Sequence, residues 1–457
     1  MTMPKVRNGL PIIGQVINML KTSPWDVMTD WANTYGSLYQ FNIFGKTCVT
    51  VSDPTLIKEI LHTKMSKFAK DTEFTYRPFI SLLGTGLVTS EGKLWRKQRT
   101  LVSSAFRIEI LHEIPQLAKE ATDRLSVKLE KIRGTGQSIE IAEEFRHLTL
   151  QVICEAILSL SPNESDATLA TMYMPIVEEG HRRVWYPFRE YLPTPGWFKY
   201  FHDVRRINKY ITSLIKKRWE LRLQEETTGS KRKFDILDKV MGSIDKSSWG
   251  PKMIKQLRDE IKTFILAGHE TSASMLTWAL YELIEHPEQM KRIQGEAKSV
   301  FGPVNAPSSS LPQHDDLTNL VYSECCLKEA LRKYSVVPTV VRKCTEDITI
   351  DGEYFPKGIT VMLGLQAVHH REDIWPEPQK YVPERFLKAP RPYTFLPFID
   401  GPRQCLGQYL SLLESKVVLS ILVQRFTFQL ANSKEASQKH PWMIPIIPKY
   451  GTEVIVN

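Results

Sequence analysis

The chain has 457 residues, of which 42% are hydrophobic and 24% are charged. This is the composition of an ordinary globular protein, so it excludes disordered, collagen-like and coiled-coil chains. The net charge of +9 at pH 7 permits an acidic protein partner or an anionic membrane surface and establishes neither. The six cysteines include no Cys-x-x-Cys pair, which argues against a disulfide scaffold and a structural zinc site and favours a reducing compartment.

The first predicted elements are two strands and a helix. Residues 38–52 favour a β-hairpin with Gly45 in the turn. Asp53 and Pro54 are typical of a helix start, a capping aspartate before a proline at the first helical position. Helical periodicity then dominates from about residue 92 to residue 300.

Short strands and turns return after residue 340, and a last helix is predicted at about 405–425. The prediction is a mainly α protein with a minor β-sheet. Because the strands come from both ends of the chain, we expect a single large domain over residues 1–457. The segments expected to form the small β region are 37–65, 340–365 and 440–457.

The most informative segment is the ten residues Phe398–Gly407, in which an irregular loop passes into the last predicted helix. Cys405 lies at that helix start, where unpaired N–H groups favour a thiolate. Gly401 and Gly407 allow the backbone to turn sharply and to approach a large flat ligand. Arg403 offers a cationic fork that suits a carboxylate. The alternative is a structural cysteine, since cysteine is among the most buried residue types.

This segment matches the haem-binding signature of the cytochrome P450 superfamily, Phe-x-x-Gly-x-Arg-x-Cys-x-Gly, at every fixed position, and the chain resembles that family. The resemblance implies haem b (iron protoporphyrin IX) as the cofactor, held between a distal helix and the cysteine loop. It implies Cys405 as the thiolate ligand of the iron. It also places Phe398, Arg403 and Gly407 at the haem.

Two further motifs resemble the family's haem-binding elements. Trp95 and Arg99 form a Trp-x-x-x-Arg motif, and their spacing places them on one helix face. The resemblance implies that this face meets a haem propionate. Pro338–Arg342 resembles the segment that lines the pocket and then sends an arginine, here Arg342, to a propionate.

The run Ala267-Gly268-His269-Glu270-Thr271 resembles the family's distal helix and lies in a helix predicted over about 254–285. The resemblance implies that Ala267 contacts the haem. It implies that Glu270 and Thr271 deliver the protons needed to cleave dioxygen, and an acid beside a hydroxyl suits that task. We expect Gly268 to leave room for a ligand near the backbone.

Glu329 and Arg332 match the family's Glu-x-x-Arg motif, and Arg385 lies in a segment that resembles the later Pro-Glu-Arg-Phe motif. The resemblance implies a buried, structural ion network of these three side chains. The alternative is a solvated pair on one helix face, which contributes little to stability.

The chain resembles the eukaryotic membrane-type branch of the superfamily, including its fatty-acid-hydroxylase-like members. Some of those enzymes carry a Glu, esterified to the haem, where this chain has Ala267, so no such ester is expected. Residues 4–11 resemble the proline-rich hinge that follows an N-terminal anchor, but no stretch reaches the about 18 apolar residues of a membrane span. We therefore expect a location in the cytoplasm or at the cytosolic face, or at the endoplasmic reticulum membrane if an anchor has been removed.

The implied function is that of a monooxygenase of lipid metabolism, which inserts one oxygen atom of O2 into a lipophilic fatty acid, terpenoid, carotenoid or sterol. The alternatives are an enzyme of the same fold that rearranges peroxides or isomerises, and a haem-binding carrier or sensor without turnover. The predicted pocket lining is the 70–88 loop, Leu266 and Ala267, residues 336–340 and residues 444–447.

The implied partners follow from the same resemblance. The whole chain is used by the haem domain, so electrons are expected from a separate NAD(P)H-dependent reductase or a ferredoxin. The basic residues Lys93, Arg96, Lys97 and Arg99 are the predicted docking site for an acidic partner. We expect a monomer with no nucleic-acid partner and leave open peripheral contact with a membrane.

Overall fold

The computed structural model describes residues 3–106, 112–228, 235–303, 316–441 and 443–457. Helices dominate these segments, as predicted. In chain order they are α1 Val16–Leu20, α2 Pro24–Tyr35, α3 Pro54–Lys58, α4 Arg77–Leu83, α5 Gly92–Ser103, α6 Ile114–Ile132, α7 Ile141–Leu158, α8 Pro162–Glu164, α9 Thr171–Trp185, α10 Pro195–Thr228, α11 Ile236–Gly242, α12 Pro251–Glu285, α13 Pro287–Phe301, α14 Val321–Tyr334, α15 Leu365–His369, α16 Gln408–Arg425 and α17 Ser433–Ala436. Short π and 3₁₀ turns occur at Glu59–Thr63, Met65–Lys67, Ser165–Ala170, Pro187–Glu190, Lys246–Ser248, Asp316–Asn319 and Pro383–Leu387.

The strands form three small sheets. In chain order the strands are β1 Leu38–Ile43, β2 Lys46–Val51, β3 Phe68–Ala69, β4 Ser138–Glu140, β5 Thr339–Cys344, β6 Ile348–Ile350, β7 Glu353–Phe355, β8 Thr360–Gly364, β9 Phe428–Leu430 and β10 Glu453–Val456. The largest sheet has the order β1-β2-β8-β5-β3, and the others are β4-β10-β9 and β6-β7. The prediction of one sheet drawn from both ends is wrong for the C-terminal strand, because β10 pairs with β4 and β9 instead.

The local sequence signals at the start of the chain are confirmed. Phe44 and Gly45 both have positive φ, 47° and 73°, and connect β1 to β2 in an antiparallel pair in which Leu38 faces Val51. A two-residue turn of this kind matches the twist of the strands it joins. The Asp53 carboxylate accepts the N–H groups of Thr55 and Leu56 at 2.8 and 3.1 Å, which caps α3.

The hydrophobic core lies around α12, which packs against α7, α14 and α16. Trp278 of α12 is fully buried and stacks on Tyr334 of α14, with 3.8 Å between the ring centroids. Within the described residues, no helix combines the length and the apolar character that crossing a membrane requires.

The predicted ion network is confirmed as a buried structure. Arg332 and Glu329 are both fully buried and form two parallel hydrogen bonds, Nε to Oε2 and Nη2 to Oε1, each at 2.8 Å. Arg385 adds a contact of its Nε with Glu329 Oε1 at 3.3 Å. The alternative of a solvated surface pair is therefore wrong for these residues, and the network joins α14 to the irregular segment near residue 380.

Candidate functional site

Cys405 is held at the end of a tightly folded loop directly before α16. Its N–H donates to the carbonyl of Phe398 at 2.9 Å, and the Gln404 N–H donates to the carbonyl of Gly401 at the same distance. Gly401 has φ +77°, and a Cβ there would lie 2.4 Å from the carbonyl oxygen of Leu61. The loop can therefore take this course only with glycine at that position.

The Cys405 side chain is exposed, and the surface to which it is exposed is the wall of an internal cavity of about 270 Å³. The cavity wall also includes Ala267, Gly268 and Thr271 of α12. The other lining side chains are largely apolar and include Leu87, Val88, Phe106, Ile153, Phe264, Met275, Val336, Val337, Val340, Leu365, Phe398 and Leu410. The cavity wall thus contains both the Cys405 thiol and the Thr271 hydroxyl.

Opposing influences act on the Cys405 thiol. Burial raises its pKa, whereas the N–H of Gly407 and the charge of Arg99 lower its pKa. The N–H group at the start of α16 therefore acts in the direction that the sequence predicts. A metal ion bound to the sulfur supplies the charge that deprotonates such a thiol.

Basic side chains line one side of the cavity. Arg403 pairs with Glu91 at 2.6 Å and lies over the Trp95 ring, 4.1 Å from its centroid. Arg99 donates from Nη1 to the carbonyl of Gln404 at 3.0 Å, which ties α5 to the cysteine loop. Trp95, Arg99 and Arg403 all line the cavity, so the structure brings these three predicted residues together.

Lys70 is a further basic residue of this wall; it belongs to the predicted 70–88 lining segment, which also contributes Leu87 and Val88, but no sequence motif marks it as a haem-binding residue. Burial lowers its pKa well below the usual value, and the neighbouring charges of Arg342 and Arg403 lower it further, while Glu91 raises it. Arg342 itself is buried and lies close enough to lower the pKa of Lys70, but it is not among the residues that line the cavity. Arg403 and Lys70 thus share the nearby carboxylate of Glu91, and the basic side chains of this wall suit an anionic ligand.

Thr271 and Glu270 face different spaces. The Thr271 hydroxyl lines the main cavity and donates to the carbonyl of Ala267 at 2.7 Å. Glu270 is 1% exposed, and its carboxylate accepts from Arg146 at 3.2 Å. It lines a second cavity, of about 170 Å³, together with the exposed residues Glu143 and Lys449.

The charge of Glu270 is stabilised by its neighbours. Burial opposes its ionisation, but the hydrogen bond from His269 and the electrostatic interactions with His269, Arg146 and His181 lower the pKa of Glu270 to about 2. The carboxylate is therefore ionised at neutral pH. The sequence shows the acid and the hydroxyl side by side but does not show that they face apart, because that depends on the rotation of α12 in the fold.

One expectation about the cavity wall is extended and another is corrected. A Cβ on Gly268 would lie 2.6 Å from Cγ1 of Ile153 in α7, so this glycine admits a neighbouring helix as well as lining the main cavity. The residues 444–447 and Leu266 are not among those that line the cavity. Ile447 lines the second cavity instead, because the C-terminal tail lies on the other side of α12.

A family model of cytochrome P450 matches residues 4–455 of the chain. The chain belongs to the cytochrome P450 family. Its relatives include cytochrome P450 4c21 of Blattella germanica, which is 29% identical over 94% of this chain and 88% of that protein. Cytochrome P450 4F3 of Homo sapiens is 30% identical over 83% of this chain and 75% of that protein. The protein LUTEIN DEFICIENT 5 of Arabidopsis thaliana is 30% identical over 87% of this chain and 68% of that protein.

The fold agrees with that membership. A cytochrome P450DA heme domain superposes with a TM-score of 0.85 over 100% of this chain and 97% of that one, at 22% sequence identity. As a cytochrome P450, the chain is a mainly helical haem protein and an oxidoreductase whose cofactor is haem b.

The residues of this P450 fit the haem. A macrocycle with two propionates needs a flat apolar slot, a ligand for the iron and cations at one edge. The slot between α12 and the cysteine loop has apolar walls, and Cys405 is the thiol at its floor. The excess of positive charge at Lys70, Arg99 and Arg403 suits the propionates.

Proposed function

We propose that this cytochrome P450 is a monooxygenase that uses O2 to hydroxylate or epoxidise a lipophilic substrate. The observation that carries the proposal is the arrangement of an apolar cavity between the Cys405 thiol and the Thr271 hydroxyl. The bound haem supplies the oxygen-activating chemistry, and a thiolate ligand favours cleavage of the O–O bond.

The protein's own residues have separate tasks in this proposal. Cys405 would hold the iron, and Lys70, Arg99 and Arg403 would bind the propionates. Trp95, Ala267, Arg342, Phe398 and Gly407 complete the proposed haem site. The apolar wall excludes bulk water from the reacting position.

Glu270 and Thr271 are the proposed proton-delivery residues. The Glu270 carboxylate lines the cavity that also contains the exposed Glu143 and Lys449, and this position gives it a path to solvent; its low pKa means that it would pass a proton on without retaining it. The Thr271 hydroxyl lies one residue away and lines the main cavity. A proton thus crosses α12 from its solvent side to its cavity side by way of these two side chains.

The substrate class follows from the wall of the cavity. The residues near α12 and β5, Phe264, Ala267, Val337 and Val340, offer no charge to a polar substrate. A fatty acid, terpenoid, carotenoid or sterol would fit such a wall. The relatives' names include a cytokinin hydroxylase of Arabidopsis thaliana, which is 29% identical over 93% of this chain, so hydroxylation is a named activity among them.

The proposed site for the electron-donating partner is the exposed face of α5. Lys93, Arg96 and Lys97 are exposed on this helix, whereas Trp95 lies on its opposite, buried face. The bond from Arg99 to the Gln404 carbonyl connects the same helix to the cysteine loop. An acidic surface of an NAD(P)H-dependent reductase or of a ferredoxin would complement this face.

Peripheral contact with a membrane is proposed for the segment between α9 and α10 and the start of α10. Its exposed apolar side chains are Phe188 (55%), Tyr191 (63%), Leu192 (50%) and Phe198 (59%). Flotation with anionic vesicles tests this contact. Phe188→Ser should reduce binding to the vesicles, whereas Val127→Ser, which changes an exposed apolar residue of α6, should not. The monomeric state and the location at the endoplasmic reticulum or in the cytoplasm stay predictions.

The test of the proposed function uses the haem-loaded protein. The reduced, carbonylated protein should show the Soret band of a thiolate-ligated haem, and Soret shifts on addition of members of each lipid class should identify those that bind. Turnover with NADPH, an added reductase and O2 should then give an oxygenated product. A protein with the thiolate band but no product is a carrier or sensor, and one that consumes only peroxides is a rearranging enzyme; either result overturns the proposal.

A further inference from the structure

The loop 84–90 between α4 and α5 is docked directly on α12. The Leu87 N–H donates to Glu260 Oε2 at 2.9 Å, and the Thr85 N–H donates to Asp259 Oδ2 at 3.2 Å. Leu87 and its neighbour Val88 line the main cavity. Two adjacent acids of α12 therefore hold the backbone of the loop that supplies part of the cavity wall.

Two glycines make this close contact possible. A Cβ on Gly84 would lie 2.1 Å from Asp259 Oδ2. A Cβ on Gly86 would lie 2.1 Å from the Thr263 hydroxyl and 2.6 Å from the carbonyl oxygen of Asp259. Because no side chain separates the loop from α12, a small change at the acids moves the loop itself.

The two acids differ in their ionic partners. Asp259 has three cations around it, Lys255, Arg258 and Lys262, at 3.0 to 3.3 Å. In the part of the chain that the structure describes, no ion pair reaches Glu260 (3% exposed), whose other partner is the neutral side chain of Gln256 at 2.9 Å. The loop 84–90 brings no charged residue, and the side chain that α5 sends to this loop is the neutral Gln98.

The buried carboxyl of Glu260 lowers the stability of the fold when it ionises, whereas a neutral amide at this position would not. Burial and, to a smaller extent, the charge of Asp259 raise the pKa of Glu260 to about 7, against the hydrogen bonds from Leu87 and Gln256, which lower it. A glutamine could accept the Leu87 N–H without any cost of burying a charge. A residue that lowers folding stability and contacts the wall of a cavity indicates a functional role for that residue.

We propose that Glu260 is a specificity-determining positioning residue, whose carboxylate fixes the Leu87 amide and thereby sets where Leu87 and Val88 stand in the substrate cavity. The proposal deepens the proposed function and rests on it, because it concerns the cavity that the substrate would enter. Above about pH 7 the ionised carboxylate holds the loop most firmly, and below that pH the neutral acid is a weaker acceptor.

The experiment follows amide hydrogen exchange of the haem-loaded protein between pH 6 and pH 8, corrected for the intrinsic pH dependence of exchange. We expect protection of the Leu87 amide, taken relative to α12 amides that exchange by global unfolding, to fall about fivefold on acidification, the ratio that separates a charge-assisted from a neutral hydrogen bond. In Glu260→Gln the protection should no longer depend on pH. The same samples are titrated with n-alkylimidazoles of increasing chain length, and Glu260→Gln should shift the preferred length.

Two matched controls separate positioning from loss of stability. Glu282→Gln removes another buried acid of α12, which pairs with Lys333 at 2.7 Å and does not touch the loop, so it should leave Leu87 protection and the preferred chain length unchanged. Gly86→Ala should displace the loop and change the preferred length even if Glu260→Gln does not fold. Gly295→Ala, where a Cβ would meet nothing within 4 Å, should change neither.

The proposal is overturned if Leu87 protection depends on pH in Glu260→Gln as it does in the wild type. It is also overturned if Gly86→Ala keeps the wild-type preference for chain length. Hydrogen exchange needs no turnover, so a failure of the monooxygenase function would abolish product without altering these results.

Discussion

Replacement of Arg332 by alanine is expected to unfold the haem site, and the structure gives the size of the effect. The guanidinium forms two hydrogen bonds with Glu329 and also donates to the carbonyls of His369 at 3.0 Å and Lys380 at 3.1 Å. Arg332→Ala would leave Glu329, which is fully buried, with Arg385 at 3.3 Å and the Val382 N–H at 2.9 Å as its remaining donors. Breaking such a buried pair costs about 3–5 kcal/mol.

That loss is comparable with much of the about 5–15 kcal/mol that stabilises a domain. We therefore expect Arg332→Ala to be largely insoluble or free of haem, with a lowered melting temperature in any soluble fraction. Lys291→Ala is the control, since Lys291 and Glu288 have the same spacing but are 69% and 78% exposed, and about 0–1 kcal/mol is expected there. Full haem occupancy and an unchanged melting temperature in Arg332→Ala, with an altered product profile, would refute this reasoning and place Arg332 in the active site.

Four further predictions concern the site. Cys405→Ala should abolish the thiolate-type carbonyl spectrum, whereas Cys325→Ala, a buried cysteine of α14, should keep it; a spectrum retained in Cys405→Ala contradicts the ligand assignment. Glu270→Gln should keep the haem but lower the product formed per NADPH consumed, and unchanged coupling counts against the proton route. Lys70→Met should weaken haem retention on dilution, and equal retention removes Lys70 from the propionate site. The free energy of unfolding of the wild type should fall by about 3 kcal/mol as pH rises from 4.5 to about 7, because the Glu260 carboxyl releases its proton at a lower pH in the unfolded chain than in the folded one. Glu260→Gln should not show this loss. Denaturation curves at pH 5 and pH 8 that shift equally in the wild type and in Glu260→Gln would contradict this prediction.

The parts of the site that the sequence predicts are those held by local spacing. Trp95 and Arg99 share a helix face because they are four residues apart, and the structure places both at the cavity. The Cys405 loop keeps its shape through short-range contacts, such as the bond from the Cys405 N–H to the Phe398 carbonyl. The hairpin turn at Gly45 is predictable for the same reason, since residues near in sequence determine it.

What the sequence does not predict depends on packing between distant segments. Lys70 reaches the cationic wall only because β3 pairs with β5, in which Ala69 faces Lys343 beside Arg342. The strand 453–456 joins the sheet of β4 and β9 because pairing partners, unlike strand propensity, are set by the whole fold. The burial that raises the pKa of the Cys405 thiol is likewise a property of the folded protein.

Three consecutive residues of α12 show how one helix separates charge from the apolar cavity. Successive residues turn by about 100°, so Glu270 meets Arg146 in the second cavity and Thr271 faces the main one. Ser272 reaches Ser411 of α16 at 3.0 Å and ties α12 to the helix that follows the cysteine. An ionised carboxylate facing the apolar cavity would be costly to desolvate. With the buried acid facing the second cavity and the hydroxyl facing the main one, the proposed proton route crosses the helix while α12 presents no charge to the main cavity.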